Sequence, residues 1–162
     1  MSAKPDSSKM EYRYLGPTGL KVSVVSWGNW VNNASDQLTV DSVKFCLEHG
    51  INFFDTAEIY GHGGAEISLG KAFKELNVQR EKIVVSTKIF NCGTDPNDSF
   101  LSRKHIIEGI RNSLKRLQLD YYLFLKKFDF LFSYILNSNK KYFIIKYQNL
   151  FICENIISLL LI

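Results

Sequence analysis

Apolar residues along this chain follow two different periods. Residues 22–27 (VSVVSW), 51–54 (INFF) and 83–87 (IVVST) are short apolar or β-branched runs, the composition of strands buried on both faces. Residues 39–49, residues 65–76 and a segment opened by Ser102 instead repeat apolar positions at helical spacing. The first of these carries Val40, Val43, Phe45, Cys46 and Leu47 and stops at Gly50, a natural C-cap. The second has Ile67, Leu69, Ala72, Phe73 and Leu76 as its inner stripe. In the third, Ile106, Ile107, Ile110, Leu114 and Leu117 are expected inward, and Arg103, Lys104, Glu108, Arg111, Lys115 and Arg116 outward, with Ser102 as the N-cap. Residues 11–20 read as a short strand or hairpin turning at Gly16, Pro17 and Gly19, and residues 91–100 as a loop. Three strand–helix units before Asp120 predict a parallel sheet with helices outside it.

The pattern breaks at Leu123. Of the last forty residues, thirty-three are Phe, Ile, Asn, Lys, Leu or Tyr, and none is Gly, Ala, Val, Pro, Thr or Arg. An α/β domain rarely runs so long without glycine or alanine. The favoured residues are those of AT-rich codons, so residues 123–162 read as an aberrant tail, translated through an unspliced intron or past a frameshift. The rival reading is a divergent α/β continuation. Its apolar runs, 128–136 and 156–162, are candidates to cover an exposed half-core or to aggregate. The domain is accordingly placed at residues 12–122, behind a polar, disordered N-terminus over residues 1–11.

Charge removes one class of function. The net charge of +4 is not spread evenly, because residues 1–122 hold 15 Lys or Arg against 14 Asp or Glu. The tail supplies the rest, five lysines against Asp129 and Glu154, with no arginine and no clustered patch, which argues against a nucleic-acid partner. Cys46, Cys92 and Cys153 lack CxxC or metal spacing, and no run approaches the ~18 apolar residues of a membrane span. A cytoplasmic location is expected. His49, His62 and His105 do not group with carboxylates at ligand spacing, and all three are expected at the surface.

Candidate chemistry lies in GINFFDTAEIYGHGGAE (residues 50–66) and VVSTKIF (residues 84–90). Asp55 ends one apolar run, Lys88 ends the next, and Tyr60 sits in the loop between them. Neighbouring strands of a parallel α/β array bring their carboxyl ends to one face, where these side chains can meet. A cation beside a phenol eases loss of its proton, and a carboxylate keeps that cation charged and oriented. Such a set donates a proton to a carbonyl oxygen while hydride reaches the carbon. Taken singly, each residue has a plainer use: Asp55 in bonding the following turn, Tyr60 as a packed aromatic with a wet hydroxyl. Lys88 is the hardest to explain that way, because a lysine on a buried strand must find a partner. The glycines around His62 lack GxGxxG spacing and read as a flexible lip of the substrate pocket.

Four segments, LKVSVVSWGNW, FDTAEIYG, STKIF and LSRKHIIEGIRNSLKRLQLDY, together resemble the first part of an aldo-keto reductase. More narrowly, they resemble the branch that includes the beta subunits of voltage-gated potassium channels. The resemblance runs from about residue 12 to residue 122 and implies an α/β chain forming part of a (β/α)8 TIM barrel, its first three to four βα units. It implies reduction of aldehydes and ketones with NADP(H), Tyr60 as general acid, Lys88 easing its proton loss and Asp55 pairing with Lys88. It places Asn29 and Trp30, with Asp55 and Lys88, on the nicotinamide side, although Trp30 reads equally as rim packing. A (β/α) barrel needs ~250 residues, so this chain is expected to be truncated.

The family's fourth site residue, a histidine, or asparagine in the channel-associated branch, falls on Phe128. Without the later strands the cofactor grip is incomplete, which forfeits an orientation advantage of ~7–11 kcal/mol. The chain alone is therefore expected to be poorly folded and inactive. Three functions remain open: an NADP(H)-dependent carbonyl reductase, a potassium-channel regulatory subunit, and a truncated or mis-spliced product without activity. A channel alpha subunit or a homo-oligomer is the partner expected of a full-length form.

Overall fold

A computed structural model describes residues 10–30, 35–91, 93–121 and 124–127 of the 162. The polar N-terminus up to residue 9, Cys92, Phe128, Cys153 and both apolar runs of the tail lie outside the described residues.

The chain opens with an antiparallel hairpin, β1 (Tyr12–Tyr14) against β2 (Lys21–Ser23). Its turn uses a short 3-10 segment, Gly16–Thr18, and Gly19 at φ +73°, where a residue without Cβ is unstrained. A parallel sheet follows, ordered β3 (Trp27–Gly28), β4 (Phe53–Asp55), β5 (Val84–Ile89) and β6 (Phe124–Lys127). Helices α1 (Asp36–Glu48), α2 (Gly64–Glu75) and α3 (Arg103–Leu117) connect these strands. β6 lies beyond residue 122, where composition placed the end of the domain.

The run VSVVSW does not form one strand. Val22 and Ser23 belong to the hairpin, while Trp27 pairs with Phe54 in the parallel sheet. Between them the backbone bends, and Ser23 Oγ donates to Val25 O at 2.6 Å. Ser23 and Asn52 tie hairpin to sheet, because Ser23 N–H donates to Asn52 Oδ1 (2.8 Å) and Asn52 N–H to Ser23 Oγ (3.2 Å).

Register sorts each strand into two faces. Phe53 pairs with Val84 and Asp55 with Ser86, so these residues and Lys88, two further along β5, share one face. At its lower end Phe53 and Val84 pack with Leu15 and Val22 of the hairpin, a small apolar plug. Phe54, Val85 and Ile89 point the other way, into a core with Val40, Val43, Cys46, Leu69, Ala72, Phe73, Ile110 and Leu117. Fully burying one such leucine or phenylalanine contributes about 1.5–3 kcal/mol, so the helix-covered face carries most of the cohesion. α2 and α3 cross closely at Gly70, where a Cβ would stand 2.6 Å from Arg116 O.

Two helices begin earlier than the apolar spacing predicts, α1 by three residues and α2 by one, while α3 begins where expected. α1 starts at Asp36 because Ser35 caps it, accepting from Leu38 N–H at 3.2 Å. Ser102 does cap α3, accepting from His105 N–H at 3.0 Å. Phe45 and Ile67, expected inside, are 59% and 40% exposed, since they lie off the faces that α1 and α2 turn to the sheet. Arg116, expected outward, instead folds inward onto a buried carboxylate. No helix among the described residues is long and apolar enough to cross a membrane.

Burial pushes the Cys46 thiol up from 9.0 to about 11. Below pH 9.0 the thiol keeps its proton in both folded and unfolded chains; above it the unfolded chain loses the proton first. This contribution to stability is therefore expected to fall between pH 9.0 and about 11. Urea midpoints across that window should fall less steeply for Cys46→Ala than for the parent. Parallel curves for the two chains would contradict the assignment.

Candidate active site

Asp55 is the last residue of β4, and its register partner is Ser86. Ser86 Oγ donates a short hydrogen bond to Asp55 Oδ1, which orients the carboxylate. The other oxygen, Oδ2, accepts from Lys88 Nζ at 2.5 Å, and the same ammonium donates to Thr56 O at 2.8 Å. Lys88 is 7% exposed, so its stem is packed and its charge is matched by a similarly buried partner. Such a pair resists disruption, since removing either member leaves the other charged and dry.

Tyr60 enters from the loop after β4. Lys88 Nζ lies 4.9 Å from the centre of its ring, over one face. Trp30, 59% exposed just after β3, stacks on the same ring at 6.1 Å between centroids with 21° between the planes. The loop bends through Gly61 at φ +58°, His62 at +51° and Gly63 at +86°, then starts α2 directly. Asn29 precedes Trp30; its N–H donates to Asp55 O at 3.3 Å and its side-chain amide to Ala65 O at 2.6 Å. Asn29 Oδ1 is buried without a partner. The ends of three adjacent strands thus bring together all five residues singled out from the sequence: Asn29, Trp30, Asp55, Tyr60 and Lys88.

Other polar residues around this site are not evident from apolar spacing. Ser86 looks like an ordinary strand residue until register places it against Asp55. Glu66 is fully buried on α2, where its Oε1 accepts from Thr87 Oγ1 at 2.6 Å and its Oε2 from Arg116 Nε at 2.6 Å and Ser113 Oγ at 3.1 Å. Arg116 is thus drawn in by an unsolvated charge, the reason it departs from the expected outward face. Its stem also supports the tyrosine loop, since a Cβ at Gly63 would stand 2.7 Å from Arg116 Cδ. His105 is likewise buried rather than at the surface, because its Nε2 lies 2.9 Å from Oε1 of the fully buried Glu58. His62 is exposed and His49 half-buried.

The sequence model of the Aldo/keto reductase family matches residues 24–127. The chain belongs to that family. Probable voltage-gated potassium channel beta subunits from Arabidopsis thaliana and Oryza sativa subsp. japonica are 53% and 50% identical to it over 116 residues. In each case the match covers 69% of this chain and 35% of the relative. A putative beta subunit from Schizosaccharomyces pombe is 50% identical over 116 residues, covering 68% of this chain and 34% of that relative. The chain thus spans about a third of the length of the curated relatives it matches. Among solved structures, an aldo-keto reductase from Bacillus halodurans, in its holo form, is similar at a TM-score of 0.64 and 31% identity. That likeness covers 73% of this chain and 40% of the other. The family's fold is a (β/α)8 barrel, and the four parallel strands with their helices make up part of that architecture.

Proposed function

We infer that this chain carries the proton-donating part of an NADP(H)-dependent reductase acting on aldehydes or ketones. The observation that carries the reading is the ammonium of Lys88, held by Asp55 and Thr56 and placed over the Tyr60 ring. Tyr60 donates its proton to the carbonyl oxygen of the substrate. Lys88 stabilises the negative charge left on the phenol, and Asp55, oriented by Ser86, holds Lys88 in place. Asn29 and Trp30, with Asp55 and Lys88, line the nicotinamide side, where the buried, unpartnered Oδ1 of Asn29 offers an acceptor. NADP(H), when bound, supplies the hydride.

Taken alone, the 162 residues are inferred to be catalytically silent. In (β/α)8 barrels the phosphate grip is commonly built from loops after the seventh and eighth strands, whereas the described parallel strands number four. Titrating the purified chain with NADPH is expected to give no saturable change in nucleotide fluorescence; a saturable curve would overturn this. Proton donation itself is tested in a chimera in which residues 12–127 replace the corresponding stretch of the Arabidopsis thaliana relative. That protein should oxidise NADPH in the presence of an aldehyde.

The 50–53% identity to channel beta subunits favours a second reading, a regulatory subunit working with a channel alpha subunit or as a homo-oligomer. Binding of NADPH and of a channel by the chimera, with no aldehyde reduction, would favour it over the first.

A further inference from the structure

Two residues before Tyr60, Glu58 is joined to the end of β5 twice. Its N–H donates to Lys88 O at 3.1 Å, and its Oε1 accepts from Phe90 N–H at 2.5 Å. His105, in the first turn of α3, brings Nε2 to the same oxygen at 2.9 Å. One buried carboxylate therefore ties together the loop that carries Tyr60, the strand end that carries Lys88, and the helix packed behind them. The remaining oxygen, Oε2, is buried without a partner, beside a helix position where a Cβ at Gly109 would come within 3.1 Å of it. A half-satisfied buried carboxylate is unfavourable compared with an apolar side chain of the same volume. Cohesion of the core does not account for it; a tether of fixed length between three elements does.

We propose that Glu58 and His105 form a positioning pair that sets the Tyr60 loop against the end of β5 and so holds the phenol ring under the Lys88 ammonium. The proposal rests on reading Tyr60 and Lys88 as the acid and its cation. Both residues act through the backbone at 58 and 88–90, so they position the reacting groups rather than join the reaction.

The test uses the lysine ε-methylene resonances of the full chain, which need neither cofactor nor turnover. With Nζ 4.9 Å from the centre of the Tyr60 ring, the Lys88 ε-methylene is expected to be shifted upfield in the parent, and Tyr60→Leu is expected to remove that shift. His105→Phe keeps the ring volume but removes the donor, and it should lose most of the shift while the methyl resonances of Leu69 and Val85 stay in place. His105→Gln, whose amide still donates, should retain most of it. A folded His105→Phe chain with the parental shift overturns the proposal. So does equal loss in His105→Gln, which would mark packing as the cause. Should His105→Phe fail to fold, Glu58→Met, which keeps the side-chain length but removes the accepting oxygen, decides by the same criterion; should neither fold, the pair is structural and the proposal falls. A parent spectrum without any Tyr60-dependent shift overturns the reading of the site itself instead.

Discussion

Lys88→Met is expected to lower the unfolding free energy by about 3–5 kcal/mol, the usual consequence of breaking one side of a buried ion pair. Methionine fills the channel of the lysine stem, so little packing is lost. What remains is Asp55, with only the hydroxyl of Ser86 to satisfy a carboxylate whose side chain is 13% exposed. Small domains hold only about 5–15 kcal/mol in total, so the variant should sit near its unfolding threshold. Urea denaturation followed by far-ultraviolet circular dichroism measures the difference. Asp55→Leu combined with Lys88→Met should recover part of the loss, because no charge is then stranded. A single variant within about 1 kcal/mol of the parent would show the pair to be solvated, as exposed pairs are.

Tyr60→Phe should leave stability nearly unchanged yet abolish most proton donation. In the chimera described above, a loss of about 10²–10⁴ in kcat is expected, the usual contribution of a positioned general acid. The phenylalanine ring keeps its stack on Trp30 and its contact with the Lys88 ammonium, so nucleotide binding should not change. Only the transferable proton is removed. A chimera that reduces aldehydes at the parental rate with phenylalanine at position 60 would take the acid role away from this residue.

Much of the helical architecture was legible because helix signals are local. The apolar stripe of α3 and its cap at Ser102 lie within one stretch of chain and require no knowledge of neighbours. The burial of His105 is not legible in local spacing. On α3 the face turned inward carries His105, Gly109 and Ser113 beside Ile110 and Leu117, so small and polar residues occupy positions that hydrophobicity assigns to solvent. The carboxylates that reward this arrangement, Glu58 and Glu66, lie 47 residues away from His105 and Ser113 respectively. The division of VSVVSW between hairpin and sheet was hidden similarly: both halves mix a serine with β-branched or aromatic residues, and only their pairing partners distinguish them.

Residue order alone carried the strand–helix alternation, the family resemblance, and the choice of one carboxylate, one phenol and one ammonium as candidates, because periodicity and short motifs are written in consecutive positions. Tertiary structure alone decided that Ser86 orients Asp55, that Lys88 sits over the phenol ring, and that Glu58, Glu66, His105 and Arg116 turn inward. Those outcomes depend on register and on which charges lose their water together, and both are set only when segments distant in the chain are packed side by side.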